Sequence, residues 1–131
     1  MKAKFAIGLL SMMLCFVAPN PAAAEEPALS ADEVKQLFSG NTEKATGLRK
    51  QRLEWSNYCD PDGSLRGEKA GNKFSGRWYV DTEGRHCFRW DHKDNTKCDQ
   101  IVPEGEGTYL RMRDGEAVAR VRFVEGNPSN L

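Results

Sequence analysis

Turn-forming residues recur at short intervals along this chain and leave only short segments between them. The turns lie at Asp60-Pro61-Asp62-Gly63, Gly71-Asn72, Thr82-Glu83-Gly84 and Asp114-Gly115. Proline presets one backbone angle and glycine accepts positive φ, so each group can reverse the chain direction tightly. Asp-Gly between alternating segments is also a strong hairpin signal. The spacing therefore predicts short antiparallel strands joined by tight turns.

The segments between these turns alternate between apolar and polar side chains, as half-buried strands do. Seven segments show this pattern at residues 52–59, 64–70, 74–80, 85–90, 98–102, 108–112 and 116–124. We predict a mainly β fold in which about seven antiparallel strands form a meander. The meander closes into a small barrel or folds as a strongly curved sheet.

A short helix is predicted before the first strand. Ser30 and Glu33 form a capping box, in which each side chain bonds the backbone N–H of the other residue. The apolar stripe that follows consists of Val34, Leu37 and Phe38. We expect a helix over residues 31–38 that covers one end or face of the sheet, because so short a helix is unstable unless it packs on something.

The N-terminal segment has the three parts of a secretory signal peptide. Lys2 and Lys4 precede an apolar run from Phe5 to Val17, and Ala22 and Ala24 suit a signal peptidase. We predict cleavage after Ala24. The run is shorter than a spanning helix needs. A lipoprotein signal at Cys15 is disfavoured by the bulky Leu14 before it.

Removing residues 1–24 from the 131-residue chain leaves 107 residues, the size of a single small β-rich domain over 25–131. Lys2 and Lys4 leave with the signal, so the 19 basic residues become 17 against 19 acidic ones. No basic patch predicts nucleic-acid binding. No further apolar stretch predicts a membrane span in the mature chain.

Three cysteines stay in the mature chain, namely Cys59, Cys87 and Cys98. An oxidising periplasmic or extracellular setting favours a disulfide. Three single-bridge pairings exist, and local geometry favours Cys87–Cys98 because a turn-rich segment between strand-like flanks lets the two face each other across a hairpin. Cys59 is then left as a buried inert thiol, a reactive thiol or a dimer link.

The ordered pattern Gly76-Arg77-Trp78, Gly84-Arg85-His86-Cys87-Phe88-Arg89-Trp90 and then Cys98 resembles a family of small secreted alphaproteobacterial proteins classed as a domain of unknown function. The resemblance covers nearly all of the mature chain. It implies a periplasmic β-rich domain with Cys87 and Cys98 paired. It implies no activity, so it transfers no catalytic residue.

Few residues suggest reaction chemistry. His86 and His92, with nearby aspartates and Cys87, could be written as a metal cluster, but a disulfide sulfur is not a thiolate ligand. Cys59 with either histidine could form a nucleophile–base pair, although no positioning motif supports it. The sequence therefore predicts no catalytic residue, no metal site and no cofactor.

Aromatic and arginine side chains are more informative. Trp55, Phe74, Trp78, Phe88, Trp90 and Phe123 lie on the apolar side of their alternations and are predicted core residues. Tyr58, Arg77, Tyr79, Arg89, Arg111 and Arg113 lie on opposite faces or rims and are candidate binding residues, because these types are enriched in binding hot spots. We predict a non-enzymatic periplasmic module for a protein, a glycan or a small amphipathic ligand. The alternatives are an envelope enzyme without a linear motif and, less favoured, a metal-binding protein.

The export interpretation has a direct test. We expect the mature N-terminus of the exported protein to be Glu25 or a near neighbour. Peptide mapping of the periplasmic fraction measures this. An N-terminus at Met1 or a lipidated Cys15 would contradict it.

Overall fold

A computed structural model describes residues 27–131, so the predicted signal peptide lies outside the described residues. One helix and eight strands follow in order along the chain. They are α1 (Ala31–Phe38), β1 (Asn41–Gly47), β2 (Glu54–Cys59), β3 (Ser64–Lys69), β4 (Asn72–Val80), β5 (His86–Trp90), β6 (Lys97–Gly105), β7 (Thr108–Arg113) and β8 (Glu116–Glu125).

The eight strands form one closed antiparallel barrel. Each strand pairs with the next, and β1 pairs with β8 to close the ring, with Glu43 opposite Phe123. The predicted mainly β meander with an N-terminal helix is confirmed. Of the two predicted forms, the structure has the closed barrel and not the open curved sheet. Closure leaves no unpaired strand edge, which is how a small sheet avoids edge-to-edge association.

The strand that the alternation did not predict is β1. Its sequence, Asn-Thr-Glu-Lys-Ala-Thr-Gly, carries no apolar stripe. Nevertheless Glu43, Ala45 and Gly47 are buried on its inner side. A strand whose inward positions hold a carboxylate and small residues leaves no hydrophobic period of two to detect.

Tight turns join the strands at or next to the positions that the sequence predicted. Asp114 and Gly115 both have positive φ, 52° and 77°, which is the geometry of a type I′ hairpin turn. At the turn before β3, the Gly63 N–H donates to the Asp60 carbonyl at 3.0 Å. The Asp62 carboxylate there accepts from the Ser64 N–H at 2.8 Å.

The helix closes one end of the barrel. Ser30 and Glu33 form the predicted capping box, and Val34 and Phe38 are fully buried. They join a core with Cys59, Leu65, Trp78 and Ile101. The Phe38 ring reaches inside and stacks on His86, with ring centroids 3.8 Å apart.

Cys87 and Cys98 form the predicted disulfide. They are directly opposite each other on β5 and β6, on the outer side of strands whose inner side carries His86 and Asp99. Cys59 is a buried free thiol. Among the described residues, no helix has the length and hydropathy to cross a membrane.

Phe38 offers a test of the closed end. Phe38→Ala is expected to lower the free energy of unfolding by about 3–5 kcal/mol, because it removes the ring that fills the barrel end. Urea denaturation measures the change. Lys35→Ala, an exposed position on the same helix, is the matched control. A loss below about 1 kcal/mol for Phe38→Ala would show that the helix is not part of the core.

Candidate functional site

The end of the barrel opposite the helix opens onto a cavity of about 420 Å³. Its walls come from the helix-distal ends of all eight strands, including Gly47, Trp55, Phe74, Trp90 and Val118. Pockets that hold small molecules fall in the range of about 300–1,000 Å³. Eight strands give a barrel just wide enough for side chains to fill it or for one small ligand to enter.

Aromatic rings form one wall of this cavity. The wall consists of Trp55, Phe74, Phe88 and Trp90, all half-buried. The Trp90 ring lies 6.1 Å from Phe74 and 6.2 Å from Phe88 between centroids. Gly67 gives the Trp90 indole its space, since a Cβ there would lie 2.6 Å from that ring.

The floor of the cavity is a buried ion-pair network centred on Arg111, which is 3% exposed. Its Nε donates to Glu43 Oε1 and its Nη1 to Asp99 Oδ2, both at 2.9 Å. Its Nη2 also donates to Glu43 Oε2. Burial alone lowers the pKa of Arg111, but the charges and hydrogen bonds of Glu43 and Asp99 outweigh it and raise that pKa.

Arg113 completes the network toward the mouth. Its Nε and Nη2 donate to the two oxygens of Asp99 at 2.6 and 2.9 Å. The buried network thus pairs two guanidinium groups with two carboxylates. Within residues 27–131, no buried side-chain nitrogen or oxygen atom lacks a hydrogen-bond partner.

His86 lies beneath the floor and is held neutral. Arg111 Nη2 lies 3.0 Å from His86 Nδ1, and because a guanidinium nitrogen can only donate, Nδ1 must be the acceptor. The proton of the neutral ring is therefore on Nε2. Burial and, after it, the charge of Arg111 place the pKa of His86 well below its usual value.

Cys59 lies 3.6 Å from His86 Nε2. Burial, followed by the charge of Glu43, raises the pKa of the Cys59 thiol far above its usual value. The Nε2–H of His86 points its proton at the sulfur and so cannot accept the thiol proton. A nucleophile–base pair needs the opposite arrangement, a thiolate or a base ready to form one.

The possible metal ligands are also dispersed. His86 is inside the barrel, whereas His92 lies at the mouth with its ring 5.1 Å from the Phe74 ring. Among the described residues, the group of ligand-type atoms close enough to share an ion is Asp81, Cys87 and Cys98. Two of those three are joined in a disulfide and offer no thiolate.

Basic side chains surround the cavity mouth. Lys97 on β6 and Lys93 in the preceding loop line the cavity, together with Arg49 and Lys69. Partial burial lowers the pKa of Lys97, and the positive charges of Arg113 and Lys93 add to that effect. Lys69 lies 5.7 Å from the centroid of the Trp55 ring, so cations and aromatic rings share this end of the barrel.

The predicted binding residues divide between the two sides of the barrel wall. Arg111 and Arg113 line the cavity. Arg77 and Tyr79 alternate with inward Gly76 and Trp78 on β4 and therefore face outward. Tyr58 and Arg89 likewise alternate with inward neighbours, and Tyr79 is 53% exposed. A binding role for these four outer residues stays a prediction.

Three residues of the site were missed by the sequence analysis, namely Glu43, Asp99 and Lys97. The clue lay in β7, where Tyr109, Arg111 and Arg113 share one parity. Tyr109 packs against the core, so the two arginines on the same side must also face inward. A buried arginine requires a buried carboxylate, although nothing in the sequence says which one.

A second depression of about 400 Å³ lies outside the barrel between β1, β2 and the C-terminal segment. Polar side chains such as Lys44, Glu54, Ser56 and Arg122 dominate its lining. Among the described residues that line it, Trp55 is the aromatic one. The interior cavity is therefore the better candidate site.

No protein-family model matches this chain, and a search of curated proteins finds no match. The resemblance to secreted alphaproteobacterial proteins stays an expectation.

The neutral state of His86 makes stability depend on pH. The unfolded histidine binds a proton below about pH 6.5, whereas the folded one does not, so stability falls as the pH falls through that value. We expect a loss of about 1.4 kcal/mol in the free energy of unfolding between about pH 7.5 and 5.5. Urea denaturation at the two pH values measures it.

His92→Gln is the matched control, because His86 and His92 are the two histidines of the chain. The loss specified for the wild type should persist in His92→Gln. NMR titration of the His86 ring should show it neutral throughout this range. A protonated His86 at pH 6 would contradict the assignment.

Proposed function

We propose that this protein is a non-enzymatic binding module that takes a small amphipathic ligand into the open end of its barrel. One observation carries the proposal: a closed barrel sealed by a helix at one end opens at the other onto a cavity of about 420 Å³ with aromatic walls. Ligand sites combine such apolar walls with a few polar groups.

The state of the buried titratable groups supports binding over catalysis. Arg111 is committed to Glu43, Asp99 and His86. Cys59 and His86 are in protonation states that oppose proton transfer between them. General acid–base catalysis requires a group poised to give or accept a proton, and these interior groups instead stabilise one another.

We further propose that the barrel works in the periplasm or outside the cell. The Cys87–Cys98 disulfide supports this location, since disulfides persist in oxidising compartments. The predicted signal sequence over residues 1–24 points the same way. The ligand is therefore expected among the small molecules of the envelope or the medium.

A neutral fluorescent probe tests the cavity. N-phenyl-1-naphthylamine should bind with one-to-one stoichiometry, gain fluorescence and quench the tryptophans of the mouth. Trp90→Ala should weaken binding about tenfold, because the ring forms part of the wall. Fluorescence titration measures both.

Tyr79→Ala is the matched control, since Tyr79 is an exposed aromatic residue on the outer face. It should leave probe affinity within about twofold of the wild type. Loss of binding in Tyr79→Ala but not in Trp90→Ala would place the site on the outer surface. Absence of stoichiometric binding to the folded wild type would overturn the proposal.

A further inference from the structure

The cavity lining carries more basic than acidic side chains, whereas the two types are equal in number over the whole chain. Overall, 19 basic residues balance 19 acidic residues. The described residues that line the cavity include six basic side chains, Arg49, Lys69, Lys93, Lys97, Arg111 and Arg113, but three carboxylates, Glu43, Glu68 and Asp99. The surplus positive charge is thus concentrated where a ligand would enter.

Two of the three carboxylates are already paired with arginines in the ion-pair network that forms the floor of the cavity. Glu43 accepts from two nitrogens of Arg111. Asp99 accepts from Arg111 and, through both oxygens, from Arg113. Their charges are neutralised by the two arginines, so they have little attraction left for a further cation.

Lys97 is the cation left over beside this network. It is half-buried, precedes Asp99 by two positions and lies nearer the mouth on the same side of β6. Among the described residues, Lys97 lies within 4.0 Å of no carboxylate oxygen. Burial lowers the pKa of Lys97, and the positive charges of Arg113 and Lys93 lower it further, against the opposing charge of Asp99. A partly desolvated ammonium group with no carboxylate in contact is a favourable partner for an anion.

The aromatic wall adjoins this ammonium group. Phe88 is the cross-strand partner of Lys97, and Trp90 lies next to Phe88 on the inner side of β5, with ring centroids 6.2 Å apart. A flat apolar body can therefore contact these rings while a charged group on the same molecule reaches Lys97.

We propose that the ligand is a small molecule with a flat apolar body and a single anionic group, and that Lys97 is the residue that selects the anion. This inference rests on the proposed binding function and narrows its ligand class. Carboxylates and sulfonates both meet the description, since either presents oxygen acceptors with one negative charge. Lys97 then supplies the specificity that rings alone lack.

Two dyes of the same skeleton separate charge from shape. 1-Anilinonaphthalene-8-sulfonate is N-phenyl-1-naphthylamine with an added sulfonate. We expect the wild type to bind the sulfonate at least about tenfold more tightly than the neutral dye, because one charge-assisted contact is worth that factor. The preference should shrink as salt concentration rises, since the site is partly exposed.

Lys97→Met is the test variant, because methionine keeps much of the length and the apolar stem. It should lose most of the preference for the sulfonate and keep its affinity for the neutral dye within about twofold. Lys35→Met, on the helix at the closed end, is the control and should retain the preference. Retained binding of the neutral dye shows that Lys97→Met is folded.

The outcomes separate the two proposals. If the neutral dye binds but the sulfonate gains nothing, or if Lys97→Met weakens both dyes equally, anion selection by Lys97 is wrong and the binding cavity stands. If Trp90→Ala leaves sulfonate binding unchanged, the sulfonate binds outside the cavity and the inference is overturned. If neither dye binds the wild type, the binding function itself fails.

Discussion

The buried contact of Arg111 with Glu43 and Asp99 is the constraint around which the barrel interior is organised. The three residues come from β7, β1 and β6, so the network spans β8 and ties the first strand to the last part of the sheet. Ala119 of β8 lies beside Arg111 in the register and is small enough to leave room. A one-residue slip of β7 would turn Arg111 to the outside of the barrel and leave both carboxylates without this guanidinium partner. Buried ion pairs contribute little net stability, but losing one partner leaves an unpaired buried charge, so the network disfavours a slipped register.

The same network divides the interior into two compartments of different chemistry. On the helix side, Val34 and Phe38 pack with Trp78 and Ile101 into an apolar core. On the other side, the space above Arg113 is bounded by rings and cations and is open. The polar layer separates the apolar core from the cavity, since Glu43, Asp99, Arg111 and Arg113 line the cavity. An eight-stranded barrel is wide enough either to be filled by side chains or to hold one small ligand.

Burial also decides the chemistry of the groups that looked most reactive. Cys59 and His86 are close enough to interact, yet burial favours the neutral form of each. Arg111 fixes the tautomer of His86 with the proton facing the sulfur. Charged groups without an ion-pair partner lie instead at the mouth, and Lys97 is the clearest case among the described residues. The interior polar groups are therefore paired with one another, whereas within residues 27–131 the mouth carries Lys97 without a carboxylate in contact.

The amino-acid sequence by itself determined most of the strand-and-turn pattern and the capped helix, and it favoured the Cys87–Cys98 pairing, because these depend on neighbours close along the chain. Turn residues, capping boxes and hairpin partners carry their physical reasons locally. Only the tertiary structure decided that β1 is a strand, that Arg111 points inward and that Glu43 and Asp99 receive it. These partners are 68 and 12 residues from Arg111, and an inward charge reverses the hydrophobic alternation on which strand prediction relies. The cavity and its surplus of positive charge depend on ring closure, which brings the mouth residues of eight strands together.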